Sequence, residues 1–126
     1  MANGAEENKS STGLDANVAA LLAYLLGWIG GLIFFLIEKD SLYVKFHAMQ
    51  SLLLSGAFIV IYIVVWIVTI IFAMISGLLA SLVWLFSLVL FFGGIAIWVI
   101  MMIKAYQGDP YKLPIIGDMA ENIVNK

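Results

Sequence analysis

The chain contains no cysteine, which removes disulfides, thiolate zinc sites and cysteine nucleophiles together. It contains no arginine either. Its cations are six scattered lysines against eight acidic residues, a formal net charge of −2, and nothing in it resembles the basic stripe that a nucleic acid would need. The single histidine, His47, cannot build a multi-histidine metal site. The largest absence is of charge itself. Residues 46–103, a run of 58, hold no Asp, Glu, Lys or Arg. At 1.5 Å of rise per helical residue such a run is far too long for one bilayer crossing of about 20 residues, so it must fold back on itself.

What is present is apolar. Of the 126 residues, 64% are hydrophobic and 11% charged, more apolar surface than a water-soluble domain of this size can hide. The expected fold is all-α, a polytopic membrane protein with three transmembrane helices and a short C-terminal amphipathic interfacial helix, forming one domain over residues 13–126. The first 12 residues are polar and acidic and are expected to be a disordered tail. Lacking the basic start and short apolar core of a signal peptide, the N-terminal region is expected to stay uncleaved.

The first apolar segment, 17–37, has no charge and the length of one crossing, so a helix is expected at about 16–37, capped by Thr12 or Asp15. Gly27 and Gly31 form a GxxxG pair suited to close interhelical packing; a re-entrant break at Gly30 and Gly31 is the lesser alternative. The charged connection 38–45 belongs in the interface or in water, with Asp40 or Ser41 as the next cap. The second helix is expected at about 42–75. Along it Ser55, Tyr62 and Thr69 are spaced by seven, and His47 and Ser51 extend that polar line toward the interface. Such a line favours the protein interior in lipid, although Ser and Thr can also bond their own helix's carbonyls. The uncharged SGLLAS stretch, 76–81, is the expected hairpin turn. The third helix, about 80–106, carries Ser87 and Gly94 on one heptad line and Trp84, Phe91 and Trp98 on an adjacent one. Gly27, Gly31, Ser55, Tyr62, Thr69, Ser87 and Gly94 are therefore the candidate helix-packing residues.

Beyond Lys104 and Tyr106, Gly108 is a helix stop and Asp109 with Pro110 continues the turn. A short amphipathic helix at about 115–124 follows, apolar at Ile115, Ile116, Met119, Ala120 and Ile123. Its polar face is acidic, which favours docking on the protein's own helix ends or on a partner over adhesion to anionic lipid. Lysines concentrate in 38–45 and beyond 104. With three crossings the positive-inside rule puts those segments, and the C-terminus, in the cytoplasm and the N-terminus outside the cell membrane.

No catalytic, cofactor-binding or metal-binding residue is assigned. Ser51 one turn from His47 supplies at best two members of a hydrolytic site, and the protein is expected not to be an enzyme. The polar residues cluster instead at the cytoplasmic end. Lys45, His47, Gln50, Ser51, Lys104, Tyr106, Gln107, Gly108, Lys112 and Pro114 form the candidate interaction face, for a protein partner or a second copy of the chain, with the lipid bilayer as the other partner. The leading expectation is an interaction or assembly subunit; a component of a transport or translocation complex, built as an oligomeric channel, is the alternative.

Four stretches carry a resemblance: 12–25 (TGLDANVAALLAYL), 37–40 (IEKD), 44–51 (VKFHAMQS) and 104–121 (KAYQGDPYKLPIIGDMAE). With them the chain resembles the small prokaryotic membrane proteins of undefined function grouped with the Tic-twenty component of the chloroplast inner-envelope import machinery. The resemblance implies a compact multi-helix membrane protein whose motif residues include His47, Gln50, Ser51, Tyr106, Gln107, Gly108, Leu113, Pro114 and Gly117. The import component is regarded as having four crossings, where this chain has room for three, so the resemblance does not imply protein import.

Overall fold

The computed structural model describes residues 10–125. Residues 1–9, most of the expected tail, lie outside them. The described chain is all-α: α1 (Ala16–Leu25), α2 (Gly27–Ile37), α3 (Leu42–Ile75), α4 (Gly77–Tyr106) and α5 (Ile116–Val124). Two of the five, α3 with 34 residues and α4 with 30, are long and apolar enough to cross a membrane.

The single helix expected at 16–37 is not there. Helix α1 stops at Leu26, and Gly27 takes φ +65°, a left-handed conformation that glycine adopts without a Cβ penalty. The chain then reverses. A Cβ on Gly30 would lie 2.7 Å from the Leu22 carbonyl oxygen, eight residues earlier, where a continuous helix would hold the two about 12 Å apart. The re-entrant break was thus expected at the wrong glycines, and Gly27 is a turn residue rather than half of a packing pair, with open space where its Cβ would be.

The two ends of this short hairpin meet. Ser10 donates its hydroxyl to Glu38 Oε1, the Ser11 amide donates to Glu38 Oε2 at 2.8 Å, and the Lys39 amide donates to Ser11 Oγ at 2.9 Å. Glu38 Oε2 also accepts from the Asp40 and Ser41 amides, each at 3.0 Å, so one carboxylate ties the chain before α1 to the chain after α2. Residues 10–12, expected to belong to the disordered tail, are held by this clasp.

The hairpin fills the groove between α3 and α4 at one end. Asn17 Nδ2 donates to the Tyr106 carbonyl at 3.0 Å and Trp98 Nε1 to the Tyr24 carbonyl at 2.5 Å, so α1 runs inward along α4. Helix α2 returns along α3. A Cβ on Gly31 would lie 2.7 Å from the Ala48 carbonyl oxygen, which makes Gly31 the close-packing glycine, and the Lys45 ammonium sits 5.6 Å from the Phe35 ring. Ser41 caps α3 by accepting from the Val44 amide.

Helices α3 and α4 are joined by Ser76 alone, which caps α4 by accepting from the Leu78 amide; the expected six-residue turn is mostly first helical turn. Burial is correspondingly one-sided. Every buried residue among those described lies within 10–54 or 101–120, and none within 55–100. Residues 10–12, the 38–41 connection and α5 share the packed end, where a single helix over 16–37 would have carried residues 10–12 to the opposite end from α5.

Desolvation alone would raise the Glu38 pKa, but the Ser10 hydroxyl and three backbone amides outweigh it and draw the value down to about 2 from 4.5. A folded-state pKa below the unfolded one contributes stability that is complete above 4.5 and is lost as pH falls toward 2. Thermal unfolding in detergent should show a drop in melting temperature across that window. In Glu38→Gln the drop should be smaller and the protein less stable at pH 7, because the amide group cannot accept from the same donors. Parallel pH profiles for the two proteins would contradict the assignment.

Candidate functional site

The polar residues at the packed end are drawn together by α3. Its first three turns place His47, Gln50 and Ser51 on the face toward α1, and Gly31 and four alanines, Ala19, Ala20, Ala23 and Ala48, let the backbones approach closely enough for short side chains to bridge. His47 and Gln50 are fully buried and Ser51 nearly so.

The hydrogen bonds form one chain in which every direction is determined. The Leu113 amide donates to Gln50 Oε1 at 2.8 Å, which fixes the side-chain amide, and Gln50 Nε2 then donates to the Tyr111 carbonyl and to Tyr24 Oη, both at 2.9 Å. Tyr24 Oη donates its own hydrogen bond to His47 Nδ1 at 2.8 Å. His47 Nε2 donates to the Asp109 carbonyl at 2.9 Å, an oxygen that only accepts, so the ring is the neutral Nε2–H tautomer. The Tyr24, Tyr43 and Phe46 rings meet the imidazole edge to face, with centroids 4.7–5.3 Å away.

Gln50 and His47 therefore grip three backbone groups of the segment 109–113, which has no regular structure of its own. Ser51 does a different task. Its hydroxyl donates to the Ala23 carbonyl at 2.8 Å, one of the last carbonyls of α1, and is 3.3 Å from that of Gly27, the first residue of α2. Tyr43 donates its hydroxyl to the Ala105 carbonyl at 2.5 Å. His47, Gln50 and Ser51, expected on the interaction face, point inward and are satisfied by the chain itself.

The remainder of that face is at the rim. Gly108 takes φ +79° just past α4. Lys104 pairs with Asp109 at 3.5 Å and lies 5.4 Å from the Tyr111 ring. Lys112 reaches Asp118 at 3.3 Å and Glu121 at 3.1 Å, and those carboxylates raise its pKa. Tyr106, Gln107, Lys112 and Pro114 are exposed. After Pro114, Ile115 takes φ 66° and ψ −58° and the Ile116 amide bonds the Pro114 carbonyl, a γ-turn that is strained for a β-branched residue. The turn lays α5 back over α3, with Ala120 and Ile123 against Phe46 and Met49. Gly117 is required there: a Cβ would stand 2.4 Å from Lys112 Cβ and 2.9 Å from Gln50 Oε1.

Of the packing candidates, Ser55, Tyr62 and Gly94 line an apolar cleft of about 330 Å³ under the hairpin tip, where the Tyr62 hydroxyl is buried without a partner. Thr69 and Ser87 bond carbonyls of their own helices, Val65 at 2.8 Å and Trp84 at 2.6 Å, and so hold no helices together. Sequence reasoning did not identify Tyr24, Glu38 and Trp98 as partners in this network. A signal was present for two of them: Asn17, Tyr24, Gly31 and Glu38 repeat every seven residues, which marks one inward seam.

The sequence matches the model of the magnetosome magnetite crystal formation protein family over residues 8–120. The chain belongs to this family. It is also 42% identical over 113 residues to a UPF0132 membrane protein of Methanocaldococcus jannaschii, covering 90% of this chain and 92% of the relative. A UPF0132 membrane protein of Archaeoglobus fulgidus is 40% identical over 108 residues, covering 86% and 94%. No solved structure matches. The long apolar helices and the names of these relatives make this family member a membrane protein, and those names connect it to UPF0132 proteins rather than to the chloroplast import component.

Gln50→Leu removes one acceptor and two donors and strands the Tyr111 carbonyl and the Leu113 amide. At about 1–3 kcal/mol for each group left unmade, and with both groups only part-buried, the variant should lose about 2 kcal/mol of stability, the low end for two groups, and release segment 109–113, so that trypsin cuts after Lys112 much faster than in the parent protein. An unchanged cutting rate would show that Gln50 does not hold the segment.

Proposed function

We propose that the chain is a non-enzymatic component of the cell membrane that serves as an interaction or assembly subunit. In this reading α3 and α4 cross the bilayer, α1 and α2 form a re-entrant hairpin, and the packed end faces the cytoplasm. The observation that carries it is the Glu38 clasp on Ser10 and Ser11, which returns the hairpin to the side it entered. Lys39, Lys45, Lys104 and Lys112 then all lie at one end, and the turn at Ser76 has no charge, the asymmetry the positive-inside rule associates with a cytoplasmic face. Residues 10–12 join α5 there.

The surface available to a partner is the rim: Tyr106, Gln107, Tyr111, Lys112, Pro114 and Ile115, with Ile115 75% exposed. An aromatic and aliphatic patch beside lysines suits a protein surface, and its strained γ-turn is held from behind by Gln50. Support for a non-catalytic role comes from the commitment of Ser51 to backbone carbonyls and of His47 to Tyr24 and Asp109. Crystal formation, the role in the family's description, is not carried over, since the described residues hold no group of three or more histidines, cysteines or carboxylates placed to bind a metal. Transport or translocation, the alternative, has less support: from 55 to 100 the two long helices carry no charged side chain.

Single cysteines at Thr12, Leu78 and Lys112, introduced into a chain that has none, test the topology in intact cells. Positions 12 and 112 should react only from the cytoplasm and position 78 only from outside. Reaction of 12 and 112 from opposite sides would overturn the reading. A photo-crosslinker at Ile115 should capture protein while one at Phe92 captures lipid; lipid alone at both positions would remove the assembly role.

A further inference from the structure

The hairpin makes the molecule unequal in the two leaflets. From Asn17 to Leu26 the chain descends beside α4, and it climbs back beside α3 by Ile37. Helix α2 has 11 residues, about 16 Å, roughly half of a 30 Å hydrocarbon core. Beyond its tip only α3 and α4 continue, and every residue from 55 to 100 is at least partly exposed. The outer surface of the hairpin is not made for water: Leu25, Leu26, Trp28, Ile29 and Leu36 are 47–68% exposed, with no polar side chain in α2.

We infer that the protein is a leaflet-specific wedge that favours, and at high density generates, membrane curved toward the side of its packed end. The inference rests on the re-entrant reading above. A helix about 10 Å across occupies about 80 Å², so four helices near the packed end displace about 150 Å² more lipid than the two at the far end. Helix α5 and Ile115 add bulk at headgroup level over the same leaflet. A bilayer accommodates such a shape with least deformation when the crowded leaflet is the convex one, for the same reason that insertion into one leaflet is curvature-sensitive. If the packed end is cytoplasmic, the ligand chemistry is a lipid surface convex toward the cytoplasm, as at the neck and body of a vesicle or tubule growing inward from the cell membrane. The length of α3, about 51 Å for 34 residues, exceeds the core and calls for tilt or extension through the interface; neither equalises the helix number.

The test uses the full chain carrying a dye on Asn122→Cys, an exposed position on α5, reconstituted into giant vesicles of neutral phospholipid from which narrow tubes are pulled. An impermeant quencher reports which end faces outward. With the packed end outside, protein density in the tube should exceed that on the parent vesicle by about twofold or more; with the packed end inside, the tube should be depleted. Equal densities in both orientations, or the opposite sign, would overturn the wedge. A second preparation labelled at Thr12→Cys separates the two levels of the argument. Quenching of positions 12 and 122 from the same side keeps the re-entrant reading whatever the sorting shows, and quenching from opposite sides removes both the reading and the wedge built on it.

Discussion

In the re-entrant reading a helix broken inside lipid must dispose of its open carbonyls, and the structure is arranged around how this one does so. Hydrocarbon offers no hydrogen-bond donor, so irregular backbone is tolerated at membrane depth only where protein covers it. At Leu26 and Gly27 the cover is supplied from both long helices, Ser51 of α3 to the Ala23 and Gly27 carbonyls and Trp98 of α4 to the Tyr24 carbonyl. The turn is possible because α3 and α4 are already paired, and it gives their packed end a third and fourth helix.

With the hairpin in place, order spreads outward through single side chains. Tyr24 at the end of α1 hydrogen-bonds His47, and His47 and Gln50 secure the segment that follows α4. That segment places Gly117 against Gln50 and so docks α5. Glu38 closes the other edge by tying residues 10 and 11 to the start of α3. The packed end behaves as a small folded domain with its core at residues of α1, α2, α3 and the last turns of α4, while the far halves of α3 and α4 present apolar side chains outward.

The long uncharged run declared two membrane-length helices because apolar length is additive and needs no partner to be read. The positions of His47, Gln50 and Ser51 were legible for a similar reason, since helical spacing puts them on one face. Their role was not legible, because inward and outward polar faces have the same spacing. The misread segment, 16–37, fails instructively. Twenty-one uncharged residues satisfy the length rule for a crossing, and only the φ of Gly27 and the carbonyls it exposes decide that the segment is two helices. Ser51 and Trp98 lie 24 and 71 residues further along the chain, and sequence alone gives no way to know that they meet that turn. Glu38 hid in the same way, its partners being backbone amides that any sequence has.

The central claim, that the chain enters and leaves the membrane on one side between residues 10 and 38, reduces to a distance. Spin labels at Thr12 and Lys39, two exposed positions flanking the clasp, should give an electron–electron dipolar separation of about 20 Å or less in lipid nanodiscs, side-chain linkers included. A single crossing helix over the 22 residues from 16 to 37 would hold its ends about 33 Å apart. A separation near or above that value would contradict the account.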